Sequence, residues 1–184
     1  METVTKSAWE AAALRLLEDV YVFVATGPRT HSDWRGDVLA VMNRDVDDPR
    51  GWRTLDWDKE NEERTPSRPS FPFLPLSREA LAECLYPVTS ETAARLLVAM
   101  TYEWGPPEPE DKTAGALADA RILLDRYGED ISCYSNITKA RTSPSPDLTA
   151  GVTGWKPVTQ YDGDYGVVVV SPDEVGVFWS FNPI

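Results

Sequence analysis

Two apolar segments near the C-terminus, residues 167–170 and 175–181, place the strongest constraint on the fold. The sequence between them is Ser-Pro-Asp-Glu, and proline second with aspartate third suits a type I turn. Both faces of the second segment are apolar, which is typical of a strand inside a sheet that helices cover. The sequence therefore predicts a C-terminal β-hairpin that belongs to such a sheet.

Apolar residues recur at helical spacing in several further segments and predict about four helices. The first is predicted to begin at Ser7, which has capping-box spacing to Glu10. The predicted N-terminal residues of the other three are Ser77, Thr89 or Ser90, and Asp111. Residues 21–25 and 131–134 predict short strands, and residues 38–42 are a strand candidate that would pair with the first of them.

These elements predict a single α+β domain over residues 1–184, in which a mainly antiparallel sheet packs against about four helices. A chain of 184 residues is long enough to bury a sizeable core in one domain. Residues 44–76 show neither helical nor strand periodicity, and we interpret them as a long irregular acidic loop within the domain.

This loop combines carboxylates with tryptophans. Clustered carboxylates attract a positively charged partner over long range, and tryptophans are frequent anchors at the centre of protein interfaces. The residues predicted to bind a partner are Asp45, Asp47, Asp48, Trp52, Asp56, Trp57, Asp58, Glu60, Glu62 and Glu63.

The charge of the chain argues against several classes of partner. Lys and Arg number 18 and Asp and Glu number 30, which gives a net charge of −12, and no quarter of the sequence is positive. Proteins that bind DNA or RNA need a basic surface to displace counterions from phosphates, and anionic membranes attract basic segments. We therefore expect neither direct nucleic-acid binding nor membrane binding.

The sequence also predicts a cytoplasmic protein. No apolar run approaches the roughly twenty residues that a membrane-spanning helix needs, and the N-terminus lacks the basic and apolar regions of a secretory signal. The two cysteines, Cys84 and Cys133, are too few for a disulfide scaffold or a four-cysteine zinc site, so we expect buried thiols, with a single disulfide between them as the alternative.

Cofactor and metal motifs fail at diagnostic positions. Residues 56–67 resemble a calcium-binding loop, but Asn61 stands where that loop needs glycine and Ser67 where it needs glutamate. Neither a P-loop nor a dinucleotide-binding glycine motif is present, and one histidine cannot form a histidine-rich metal site. We therefore predict no cofactor and no metal.

Catalysis is an alternative interpretation, and it depends on the only histidine, His31. One hypothetical site joins His31 with Asp33, Asp37 and Tyr161. Another pairs His31 with Cys133 as base and nucleophile, although the neighbours of Cys133 favour a buried core thiol. A third interpretation is an adaptor subunit that contacts its assembly through the apolar C-terminal hairpin.

The sequence favours a non-catalytic acidic protein that binds a basic protein partner. Small acidic proteins of this kind are the expected form of an immunity or antitoxin-type inhibitor of a basic nuclease toxin. Carboxylates that imitate nucleic-acid phosphates would be a narrower version of the same function. A small cytoplasmic enzyme with a carboxylate and histidine site, or an adaptor subunit, remains the alternative, and the oligomeric state stays open.

Overall fold

The computed structural model describes residues 3–57, 67–102 and 110–183 and contains a six-stranded sheet. The strands are β1 Val22–Pro28, β2 Leu55–Asp56, β3 Tyr86–Val88, β4 Ser132–Ser135, β5 Asp162–Val170 and β6 Glu174–Asn182. Their spatial order is β2-β1-β6-β5-β4-β3, and every pairing is antiparallel.

Helices pack on both faces of the sheet, which is therefore the middle of three layers. The helices are α1 Lys6–Leu17, α2 Trp34–Met42, α3 Arg78–Cys84, α4 Ser90–Ala99 and α5 Glu110–Asp125, with a short 3₁₀ helix at Thr138–Arg141. Helices α1, α4 and α5 cover one face, and α2 and α3 cover the other. The predicted α+β class with an antiparallel sheet is confirmed.

The predicted C-terminal hairpin is formed by β5 and β6, and it occupies the centre of the sheet. Val170 pairs with Val175 across the turn, and the other edge of β6 pairs with β1. Phe178 packs under α1, α4 and α5, whereas Val177 and Trp179 pack under α2 and α3. The chain itself therefore covers both faces of the hairpin, and its apolar residues are buried.

The strand predicted at residues 38–42 is wrong, because this segment forms the second half of α2. Val38, Val41 and Met42 are three and four residues apart, so all three point into the same buried core. A short apolar run does not distinguish a strand from a buried helix by periodicity alone. The distinguishing signal was Asp33, whose carboxylate accepts a hydrogen bond from the backbone N–H of Arg35 and caps the helix.

The other predicted helices are present, with two corrected starts. Helix α1 is capped by Thr5, which accepts a hydrogen bond from the N–H of Ala8, and not by Ser7. Ser77 and Thr89 are the N-caps of α3 and α4 as expected. Helix α5 begins at Glu110, one residue before the predicted start.

Gly176 in β6 is required by the packing of α5 on the sheet. A methyl group at this position would collide with the ring and hydroxyl of Tyr127, which follows α5. The Tyr127 hydroxyl is buried and lies 2.7 Å from the Thr26 hydroxyl on β1. The absence of a side chain at Gly176 thus lets the end of α5 approach the central strands.

We expect Gly176→Ala to lower the free energy of unfolding by about 1–3 kcal/mol, because overpacking a rigid core forces backbone or side-chain shifts. Gly115→Ala is the matched control, since a methyl group there meets open space on the exposed side of α5. Replacing a helical glycine by alanine should raise stability by about 0.5–1 kcal/mol. Urea unfolding of both variants measures the two effects, and equal stability of the two variants would contradict this account of Gly176.

Candidate functional site

A buried arginine, Arg126, joins three segments at one end of the sheet. Its side chain is fully buried directly after α5. Its guanidinium binds the Asp48 carboxylate through two hydrogen bonds of 2.7 and 2.9 Å, and it binds Glu174 at 3.1 and 3.3 Å. Arg50 donates a 2.9 Å bond to the same Glu174 carboxylate and a 3.1 Å bond to the carbonyl of Arg126. The buried Arg126 and the partly exposed Arg50 therefore neutralise two carboxylates that are themselves almost fully buried.

Aromatic rings enclose the Arg126 guanidinium. Its central carbon lies 4.7 Å from the ring centroid of Trp52, 5.2 Å from that of Trp9 and 5.7 Å from that of Tyr127. Desolvation alone would lower the pKa of Arg126, but the hydrogen bonds to Asp48 and Glu174 outweigh it and raise the pKa above its usual value. Arg126 is therefore permanently charged and acts as a structural centre.

Exposed carboxylates surround this network. Asp45 and Asp47 flank Val46, which packs over Gly27 near the end of β1. Asp125 precedes Arg126, and Glu129 and Asp130 lie between it and β4, while Asp173 belongs to the β5–β6 turn. We call these six exposed residues the acidic end: Asp45, Asp47, Asp125, Glu129, Asp130 and Asp173.

The arginines at this end are engaged by other, more buried carboxylates. Arg50 and Arg126 bind Glu174 and Asp48, as described above. Arg29, whose backbone N–H bonds to the carbonyl of Asp173, directs its guanidinium to Asp37 at 3.0 Å. The six carboxylates of the acidic end are therefore left to face solvent as a locally negative surface.

The carboxylates predicted to bind a partner differ in exposure among the described residues. Asp45 and Asp47 are exposed, as a binding role requires. Asp48 pairs with Arg126, and Asp56 forms a bidentate ion pair with Arg44 through two bonds of 3.0 Å. These two carboxylates are thus already neutralised within the chain.

The two predicted tryptophan anchors pack inward. Trp52 contacts Trp9 with ring centroids 5.7 Å apart, and Trp57 contacts Phe181 at 5.4 Å. Each ring is half-buried and part of the core packing. The remaining predicted residues, Asp58, Glu60, Glu62 and Glu63, lie outside the described residues.

Sequence reasoning missed Asp125, Glu129, Asp130 and Asp173 as neighbours of the predicted loop. These four residues lie 77 to 128 positions further along the chain than Asp45, Asp47 and Asp48. The run from Asp125 to Asp130 contains three carboxylates in six residues, but its local sequence does not reveal that Arg126 within it pairs with Asp48. The ion pair between Arg126 and Asp48 is what brings the two acidic segments together.

His31 and Asp37 form a second polar cluster. The His31 Nδ1 atom lies 2.6 Å from Asp37 Oδ1, and Asp37 is fully buried while His31 is half-exposed. The same carboxylate oxygen accepts hydrogen bonds from the backbone N–H groups of Thr30 and His31. Burial favours the protonated form of Asp37, but these hydrogen bonds outweigh it and hold the pKa of Asp37 below its usual value.

A histidine oriented by a buried carboxylate can act as a general base. The other residues of the hypothetical catalytic sites are not assembled around His31. Asp33 caps α2, Tyr161 stacks on Phe181 with centroids 5.7 Å apart, and Cys133 is buried in the core under α1, α4 and α5. Burial raises the pKa of the Cys133 thiol to about 12, so it is not a thiolate nucleophile at neutral pH.

Comparison with known proteins provides no further guide to this site: no family model, no curated protein and no solved structure matches the chain.

Across residues 3–57, 67–102 and 110–183, no helix combines the length and apolar character needed to cross a membrane. The same residues contain no group of three or more histidine, cysteine or carboxylate side chains placed to hold a metal ion. Both cysteines are free thiols.

We expect Arg126→Met to lower the free energy of unfolding by about 3–5 kcal/mol, because it leaves the Asp48 carboxylate without a counter-charge and leaves Glu174 with Arg50 as its remaining cation. Arg121→Met is the matched control. Its guanidinium is half-exposed and pairs with Glu91, so the loss should stay below about 1 kcal/mol. Chemical denaturation monitored by circular dichroism measures both values, and a similar small loss in both variants would rule out a structural role for Arg126.

The free energy of unfolding of the Asp37→Asn variant should depend less on pH in the acidic range than that of the wild type. Because the pKa of Asp37 is lowered on folding, its ionised form stabilises the protein fully above the unfolded value of about 4, and this contribution disappears as pH falls through the folded pKa. At pH 7 the free energy of unfolding of the wild type should exceed that of the variant by about 1–3 kcal/mol, and this difference should shrink below pH 4. Denaturation at several pH values tests this, with exposed Asp45→Asn as control; a constant difference would contradict it.

Proposed function

We propose that this chain is a non-catalytic acidic protein that binds a basic protein partner, as an immunity or antitoxin-type inhibitor of a nuclease toxin does. The observation that carries the proposal is the acidic end. Six exposed carboxylates lie there, while Arg29, Arg50 and Arg126 are each committed to a buried or partly buried carboxylate. A surface of this kind attracts a positively charged protein and accelerates its association.

The ion pairs beneath this surface support the same function. The segments that carry the acidic end are held together by the Arg126 network, and part of each segment is buried. Carboxylates on an ordered scaffold lose little conformational entropy when a partner binds, which favours affinity. The predicted residues Asp45 and Asp47 retain their proposed binding role, and the two free thiols fit the proposed cytoplasmic location.

The first experiment is affinity capture of the partner from the native host with the full chain as bait. We expect a basic protein that is toxic when it is produced alone. Association rates are then measured at several salt concentrations. Capture of an acidic protein, or an association rate that does not respond to salt, would contradict the proposal.

Charge variants then locate the binding surface. Neutral amides at Asp45, Asp47, Asp125, Glu129 and Asp130 should lower the association rate at low salt by about tenfold or more and flatten its salt dependence. The matched control changes the same number of exposed carboxylates on other elements, namely Glu18, Glu79, Glu83, Asp147 and Asp162. If both variants slow association equally, net charge and not the acidic end is responsible.

A further inference from the structure

A cavity of about 760 Å³ lies at the opposite end of the sheet from the acidic end. It is bounded by the C-terminal ends of α1 and α4, by residues 150–155, and by the start of β5 and the end of β6. Its volume falls within the range of about 300–1,000 Å³ that is typical of small-molecule sites in proteins. No residue of the proposed partner-binding surface lines it.

The walls of the cavity are rich in aromatic side chains. Tyr21, Tyr102, Trp155, Tyr165 and Phe181 line it. Trp155 and Tyr165 are neighbours with ring centroids 6.5 Å apart and planes inclined by 40°. Aromatic walls of this kind offer ring faces to a planar apolar group and to a cation.

Two polar groups in the walls have no protein partner among the described residues. Neither the Trp155 indole N–H nor the Tyr165 hydroxyl makes a hydrogen bond to them, whereas the buried indole of Trp179 bonds to Asp164 at 2.6 Å. Among the described residues, Arg35 Nε is the only side-chain nitrogen or oxygen that is both inaccessible to solvent and without a hydrogen-bond partner. The Trp155 and Tyr165 groups therefore keep access to solvent, and both residues line the cavity.

The charges of the residues that line the cavity favour a cationic ligand over an anionic one. Asp19 is the one ionisable acid or base, apart from tyrosines, among the described lining residues, and neither lysine, arginine nor histidine is present there. Burial raises the pKa of the Tyr165 hydroxyl, which keeps it neutral and able to donate a hydrogen bond. Among the described lining residues, an anionic ligand would find no counter-charge, whereas a cation would find several aromatic rings and the exposed Asp19 carboxylate.

We propose that this cavity binds a small organic cation with a planar apolar body, of the class of the aromatic amines. The planar body stacks between the aromatic walls, and the ammonium group lies toward Asp19. The Tyr165 hydroxyl can accept a hydrogen bond from the ammonium or indole N–H of such a ligand.

Tryptamine and indole-3-propionate test this proposal, because they share the indole ring and differ in the sign of their charge. Calorimetric titration of the full chain at pH 7 should give saturable binding of tryptamine and at least tenfold weaker binding of the anion. The indole N–H resonance that is lost in Trp155→Phe should shift as tryptamine is added to the wild type. Absence of saturable binding, equal binding of both compounds, or an unmoved Trp155 resonance would each overturn the proposal.

Two cavity variants separate the contribution of the Asp19 charge to tryptamine binding from that of the Tyr165 hydroxyl. Asp19→Asn should reduce the preference for tryptamine over the anion, and Tyr165→Phe should weaken tryptamine binding while it preserves the ring. Tyr134→Phe is the matched control, since Tyr134 stacks on Trp34 outside the cavity. The acidic-end amide variant should bind tryptamine as the wild type does, so this proposal and the proposed partner binding can fail independently. Unchanged binding in both cavity variants would place tryptamine elsewhere.

Discussion

The buried Arg126 guanidinium holds together the part of the structure on which the functional proposal depends. It binds carboxylates from the segment after α2 and from the first residue of β6, and its own position follows α5. Since a buried arginine is tolerated only with paired carboxylates and satisfied hydrogen bonds, none of these segments can move away without exposing an uncompensated charge. The surrounding indole and phenol rings exclude water and make the network part of the core.

The distribution of acidic residues follows from the same constraint. Buried carboxylates bond within the chain: Asp37 to Arg29 and His31, Glu174 to two arginines, and Asp164 to backbone N–H groups and Trp179. Asp164 has no cation among its hydrogen-bond partners, and burial raises its pKa. Because internal pairs engage arginines, part of the excess of carboxylates remains on the surface. Among the described residues, the acidic end holds six of these surface carboxylates beside the buried network.

The central strand β6 connects two chemically different ends of the molecule. Glu174 begins the strand in the ionic network, and Phe181 lies near its other end in the wall of the aromatic cavity. The acidic end presents exposed carboxylates, to which we assign the proposed protein partner. The cavity is concave and largely apolar and suits a small ligand. The two features use different residues, and so their proposed roles can be tested separately.

Much of the fold was predictable because local patterns carry it. The alternation in residues 175–181 and the turn sequence before it predicted the central hairpin, and Ser77 and Thr89 marked helix starts through their capping side chains. The segment at residues 38–42 was misassigned because its five apolar residues satisfy both a strand and a buried helix. Asp33, seen only as a possible catalytic acid, was in fact the signal for that helix.

Of the candidate site, the sequence supplied the sign of the charge and two of its exposed members, Asp45 and Asp47. It could not distinguish them from Asp48 and Asp56, because the residues that neutralise these carboxylates are chosen by tertiary contact. Composition and local spacing thus determined an acidic α+β chain with a central hairpin. Only the folded structure decided which carboxylates Arg126 and Arg44 take up and which face solvent, because pairing depends on distances between segments that are remote in the chain.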